Sequence, residues 1–435
     1  MRDNRTSRQA GTEVPMTGCP IAHGYNPLEQ DVVNNPYPAL EALRAEGPAF
    51  YIPEFDHYVV TRYEDIEAML YDRDTWSASI ASSPLRPICP AAQKVLDDGG
   101  YNRVPTLNNA DPPRHPNMRK TVLSCMTPRR MLGLEPALRT YAENLVKSLK
   151  DEPIIDFVSK IAFPFPGYAA FSLLGFPEED TDQLKAWSET RVLLTYGKLT
   201  EEEQVRVAGD VVSMWQYCKR HVENKADNPG DDLTSDLVKY ADNKPDDVVN
   251  RFDVVNMVYS MALAGHETTC NTIGNGVYAL LSNRDQWELL VRDRSLIPSA
   301  TEEILRYDGP VVNQRRRAKM DTTIGGVPIP ADAKVMMNFA SGDRDGSLFP
   351  DGNRFDITRD NAELHLAFGK GAHLCLGAPL ARLEVRIILD LLIDHMPDIE
   401  LVPDQEITHI PNALFRGLTK LLVAPRGLSY AQARS

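Results

Sequence analysis

The segment His365-Leu-Ala-Phe-Gly-Lys-Gly-Ala-His-Leu-Cys-Leu-Gly-Ala-Pro-Leu-Ala-Arg-Leu-Glu384 constrains this chain more than any other. In it a glycine-rich loop runs directly into an amphipathic helix, with Cys375 at the junction. Leu376, Leu380, Leu383, Ile387, Leu391 and Ile393 give a helix over 376–395 one buried face. Gly369, Gly371 and Gly377 let the preceding backbone turn tightly and approach a flat partner. A thiol at a helix N-terminus meets the macrodipole and free backbone N–H groups, both of which favour thiolate, the form that binds metal. A single cysteine beside a glycine is more often a small structural residue, so the junction alone leaves both readings open.

The rest of the chain sets the frame. Its 435 residues, 43% hydrophobic and 25% charged, can build a large core without disulfides or metal staples. A net charge of −14 argues against a nucleic-acid surface, which needs clustered Lys and Arg. Six dispersed cysteines, without a CxxC pair, suggest reduced thiols rather than a zinc site. The N-terminus has no apolar signal core and no apolar run is long enough to span a bilayer, so a cytoplasmic protein without membrane association is expected. Residues 1–30 read as a mobile tail and 31–435 as one domain, with no internal repeat or linker. Hairpins are expected at 49–61 and at 323–339, the second turning at 328–333. Helical periodicity covers 134–150, 201–226, 251–282, 298–307 and 376–395, so the fold class is mainly α, an α+β protein. The Pro- and Gly-rich stretch 82–106 is a long loop of the kind that often carries function.

A second constellation, Met261-Ala-Leu-Ala-Gly-His-Glu-Thr-Thr-Cys270, lies within a long apolar helix. Gly265 beside Ala264 costs helix stability, which room for a flat cofactor would explain. Glu267 and Thr268 interrupt the apolar face and would be costly to bury unpaired. Either they meet a water chain or ligand, or Thr268 bonds back to the carbonyl four residues earlier and Glu267 reaches solvent. His266 reads as packed or solvated. Glu303 and Arg306 are spaced to pair on one helix face, ordinarily a weak surface contact. Asp111 is placed to cap a helix on which His115 and Arg119 share a face.

Phe368, Gly371, His373, Cys375 and Gly377 form F-x-x-G-x-H-x-C-x-G, and from about Asn35 onward the chain resembles bacterial members of the cytochrome P-450 superfamily. The resemblance implies a single large helical domain with small β-sheets and haem b between the long central helix and the cysteine helix. It makes Cys375 the iron ligand, Phe368 its neighbour, and His373, His115, Arg119 and Arg316 contacts of the propionates, with Arg315 and Arg317 leaving a one-residue ambiguity. Ala264, Gly265 and Gly377 would lie against the haem. Glu267 would relay protons from solvent and Thr268 would hydrogen-bond the oxygen being activated. Glu303, Arg306 and Arg354 match a buried scaffold network, and Gly352 stands where relatives commonly carry proline. Leu263, Ala264, Val311, Val312 and Leu414 would line the pocket, with the 82–106 and 187–200 segments.

Thiolate ligation favours oxygen activation over reversible carriage. The implied enzyme is a monomeric monooxygenase that uses O2 to oxidise an apolar small molecule, with peroxide a possible substitute for a reductase. The alternatives are a haem-thiolate sensor or electron-transfer protein, and a haem-free enzyme with Cys375 as nucleophile. The chain especially resembles the haem domain of self-sufficient enzymes fused to a phthalate-dioxygenase-type reductase. FMN, 2Fe-2S and NAD(P)H would act through such a reductase, fused or separate, because no cluster motif or flavin fold occurs up to Ser435.

Overall fold

The computed structural model describes residues 20–21, 25–243 and 249–432, so most of the expected tail lies outside the described residues. The end of that tail is packed: Tyr25 and Leu28 are buried with Leu40, Phe50 and Val59.

The helix Arg251–Ser282 runs through the largest apolar cluster and begins where its periodicity does. Asn250 accepts from the Asp253 N–H while the Asp253 carboxylate accepts from the Asn250 N–H, fixing the start reciprocally. Its 32 residues span about 48 Å. Against it pack Pro164–Leu174, Thr181–Tyr196, Glu201–Asp227 and Ala378–His395. The last of these helices buries Leu380, Ile387, Leu391 and Ile393, the expected face, while Leu376 and Leu383 are half-buried.

Beside the helices lies a five-stranded sheet in the order Ala49–Ile52, His57–Val60, Lys334–Asn338, Asn313–Ala318, Trp76–Ser77. The hairpin expected at 49–61 forms with Ala49 opposite Val60. The one expected at 323–339 is displaced: Thr322–Ile324 pairs with Val327–Ile329. Gly325 and Gly326, both at positive φ, make its tight turn, as right-twisted two-residue hairpins require. Lys334–Asn338, freed from that hairpin, runs parallel to His57–Val60 and antiparallel to Asn313–Ala318.

Candidate active site

Of the cysteines among the described residues, Cys89, Cys125, Cys218 and Cys270 are buried and Cys375 is exposed. Its loop is rigid. The Cys375 N–H donates to the Phe368 carbonyl at 2.9 Å. Gly371 has φ +64°, and a Cβ there would meet the Leu70 carbonyl oxygen at 2.5 Å. The Arg382 guanidinium lies 4.6 Å from the Phe368 ring centroid. The sulfur, open on one side, is enclosed by protein on the others. That loss of water pushes its thiol up, while the backbone N–H groups of Gly377 and Ala378 and the charges of Arg119 and Arg382 pull it down. The net direction is upward, so the helix N-terminus alone does not generate a thiolate. A metal cation does so outright.

Around the cysteine lies a cationic rim. The His115 and His373 rings stack at 3.9 Å. The His373 Nδ1 lies 3.1 Å from the Leu107 carbonyl oxygen, and the buried His115 Nε2 has no partner. Burial lowers both imidazoles, His373 to about 3 with help from Arg316 and His115, so they stand neutral. Arg119 is close enough to act on the Cys375 thiol, and Arg316 is buried with one guanidinium N–H donating to the Arg315 carbonyl at 2.9 Å. Arg315 points instead toward Ser83 and Tyr196, and Arg317 is exposed near Asp332. Asp111 supplies the opposing charge on this rim. Its side chain does not cap the following helix, which starts at Arg114. Instead it accepts from the Ala78 N–H at 2.9 Å and anchors Ser77. Guanidinium groups with so little carboxylate fit a ligand carrying its own carboxylates. The orphaned Nε2 is a further polar atom to satisfy.

On the central helix, Ala264 is exposed in an otherwise buried stretch, with Leu263 and Thr268 partly open. The reason expected for Gly265 is corrected: a Cβ there would meet the Ala170 Cβ at 3.0 Å, so the missing side chain admits a neighbouring helix. Thr268 Oγ1 donates to the Ala264 carbonyl at 2.8 Å, the back-bonded arrangement. Glu267 does not reach solvent. It is 7% exposed and its Oε2 has no partner. Burial raises it from 4.5 to about 8, with repulsion from Glu189 on the facing helix adding to the shift. His266 is packed, its Nε2 3.3 Å from the Phe163 carbonyl oxygen, and burial lowers it to about 3.

That shift has a stability consequence. Between pH 4.5 and about 8 the native chain keeps a proton that the unfolded chain has released, so stability falls as pH rises through this window. Thermal unfolding of Glu267→Gln is expected to lose less than the parent across it. Parallel curves would refute the assignment.

Leu414, expected at the pocket, is buried at 1% exposure among Tyr25, Leu28 and Phe50, and its half-buried neighbour Phe415 packs edge-on to Tyr196. Val311 is half-buried and bridged to Phe415, while Val312 is buried and donates its N–H to the Leu414 carbonyl at 2.8 Å. Gly377 has φ −81°, and a Cβ there would stand 3.8 Å from the Cys375 sulfur, so its backbone does not demand glycine.

The scaffold network is buried, with one change of member. Arg306 and Glu303 pair bidentately at 2.6 and 2.8 Å, neither side chain exposed. The third member is Arg359, whose guanidinium lies 3.4 Å from Glu303. Arg354, expected in that place, is 67% exposed and contributes only its backbone carbonyl. Arg359 lay five residues beyond the matched position, and sequence periodicity carries no signal across that irregular loop. Gly352 leaves no room for a side chain, since a Cβ would meet the Arg344 carbonyl oxygen at 2.6 Å.

A cysteine open toward one side, a neutral histidine pair and two anion-seeking arginines are the complement of an iron porphyrin, and the class they define is a haem-thiolate oxygenase. The chain belongs to the cytochrome P450 family, whose model matches residues 92–423. It is 35% identical to the cytochrome P450 monooxygenase PikC of Streptomyces venezuelae, over 94% of this chain and 96% of that protein. Among solved structures, cytochrome P450 CREJ in complex with (4-ethylphenyl) dihydrogen phosphate matches with TM-score 0.89 at 36% identity, over 93% of this chain and 99% of that one. An intact type IV self-sufficient cytochrome P450 monooxygenase matches with TM-score 0.89 at 37% identity, over 94% of this chain and 54% of that one. The protein is accordingly a monooxygenase that uses haem. Among the described residues no helix is long and apolar enough to cross a membrane.

Proposed function

We propose that this monooxygenase inserts one oxygen atom into a small organic substrate held beside Ala264 and Leu263, with electrons from a fused or separate reductase. The observation that carries the reading is the open strip at Ala264 and Thr268 next to a buried, proton-bearing Glu267. Cys375 would hold the iron, with Phe368 against the loop. Arg119, Arg316, His115 and His373 would hold the propionates. Haem bound there supplies the redox and oxygen chemistry.

The protein's share is positioning and proton supply. Glu267 stays protonated up to about pH 8, so its carboxyl has a proton to give at neutral pH. Thr268 directs its own proton to the Ala264 carbonyl, which leaves its oxygen lone pairs facing the open strip as acceptors. Glu267 would feed that site from the side of the facing helix. That CREJ is solved with an aryl phosphate supports including aromatic acids among the candidate substrates.

The test starts from the visible spectrum of the reduced protein under carbon monoxide, which reports thiolate ligation. Substrate-dependent turnover is then measured with a surrogate reductase. Thr268→Ala is expected to keep consuming O2 while product per O2 falls by about tenfold or more, the scale of losing positioned proton transfer. Fully coupled turnover in that variant, or no product from any substrate, would favour a sensor or electron carrier.

A further inference from the structure

A second group of arginines lies away from the cysteine. Arg191, on the helix Thr181–Tyr196, is 9% exposed, and its Nε donates to the Tyr101 hydroxyl at 3.2 Å. Among the described residues its terminal nitrogens make no hydrogen bond and meet no carboxylate within ion-pair distance. Arg103 lies with its guanidinium 5.9 Å from the Tyr259 ring centroid and its buried Nε without a partner. Tyr259 is fully buried, with its hydroxyl directed toward that of Tyr101. Burial pushes the Tyr101 phenol up, but Arg191 and Arg103 outweigh it and bring the group below its ordinary value. Two guanidinium groups thus face two phenols, with no carboxylate within ion-pair distance among the described residues. Burial disfavours the Arg191 cation, and the neighbours that offset it are phenols and not carboxylates.

The group is fixed to the substrate side of the central helix. The Val104 N–H donates to Asn256 Oδ1 at 3.1 Å, and the Thr106 and Ser260 hydroxyls are 3.2 Å apart, so the 101–106 segment lies along that helix. Tyr101, Trp215 and Tyr259 pack edge to face at 5.4 to 5.9 Å and form an aromatic wall. Ser260 precedes Ala264 by four residues, so the 101–106 segment meets the helix about one turn before the open strip and on the same face.

We infer that Arg103 and Arg191, with the hydroxyls of Tyr101 and Tyr259, form an anion-binding subsite, and that the substrate is an apolar body ending in an oxyanion. The oxidised carbon then lies at the other end of that body, beside Ala264. Carboxylate, sulfate and phosphate monoester share the required chemistry of flat or tetrahedral oxygens accepting from guanidinium N–H groups. The inference rests on the monooxygenase reading for the position of the oxidised carbon. The arginine site itself is independent of that reading.

The experiment uses the haem-loaded protein and matched probes: 4-ethylphenol, 4-ethylphenyl phosphate, 4-ethylphenyl sulfate and 4-ethylbenzoate. Binding is followed by calorimetry and by the shift of the visible spectrum. At least one acid is expected to bind about tenfold or more tightly than the neutral phenol, the scale of a charge-assisted hydrogen bond. Which acid binds best identifies the head group. Arg191→Gln and, separately, Arg103→Gln are expected to reduce the acid-over-neutral ratio by a similar factor, and Tyr259→Phe by less. Arg103→Gln, at the half-buried position, keeps the test informative if Arg191→Gln folds poorly. Equal affinity for acid and phenol, or an unchanged ratio in folded arginine variants, would overturn the proposal. The carbon monoxide spectrum recorded alongside separates failure of haem ligation from failure of anion recognition.

Discussion

Cys375→Ala is expected to abolish the thiolate-type carbon monoxide spectrum of the reduced protein and to lower product formation by about three orders of magnitude or more, as when a group the reaction cannot proceed without is removed. The cause is local and chemical. Cys375 sits in a loop whose glycine backbone and Phe368 hydrogen bond hold its sulfur in one place. Cys375→His separates two contributions. It restores an iron ligand, so haem content is expected to recover in part, while oxygen insertion stays low because imidazole donates less electron density than thiolate. Haem content is read from the pigment of the purified variant, and insertion from product yield with a fixed surrogate reductase. An alanine variant that retained both the spectrum and the activity would remove Cys375 from the site.

The parts legible in the sequence are those in which function or folding is written locally. The central helix could be bounded because helical periodicity covers 251 to 282, the bounds the folded chain keeps. The cysteine loop could be located because its glycines serve backbone conformations that do not depend on distant residues, as Gly371 shows. Glu267 was legible as an anomaly, a carboxyl in an apolar run, but its burial depends on the helix carrying Glu189 and could not be read from its own neighbours. The same limit explains Gly265, whose partner Ala170 lies on another helix, and Leu414, which packs with the N-terminal segment. It also explains why Arg191 passed unnoticed. A charged residue in an amphipathic helix ordinarily faces water, and only the packed structure brings it to Tyr101. The residues around Cys375 were therefore easier to single out in the sequence than those along the central helix, where contacts come from segments far apart in the chain.

Arg306→Met is expected to destabilise the protein by about 3–5 kcal/mol, because it leaves the Glu303 carboxylate buried without its principal partner. Arg306 also donates to the carbonyls of Asp343 at 2.7 Å and Gly352 at 2.9 Å, so the change releases two loops at once. Asp343 in turn accepts from the Leu366 N–H at 2.7 Å, at the entrance to the cysteine loop. Haem retention should therefore fall together with stability, although no atom of Arg306 is assigned to the haem. Arg354→Ala is the internal control. Its exposed side chain takes no part in the network, so equilibrium denaturation is expected to move by no more than about 0.5 kcal/mol. Arg359→Ala should fall between the two, since Arg359 reaches Glu303 from 3.4 Å as a second cation. If Arg354→Ala cost as much as Arg306→Met, the side-chain assignment of this network would be wrong. If Arg306→Met were stable yet lost haem, its role would lie at the cofactor and not in the scaffold.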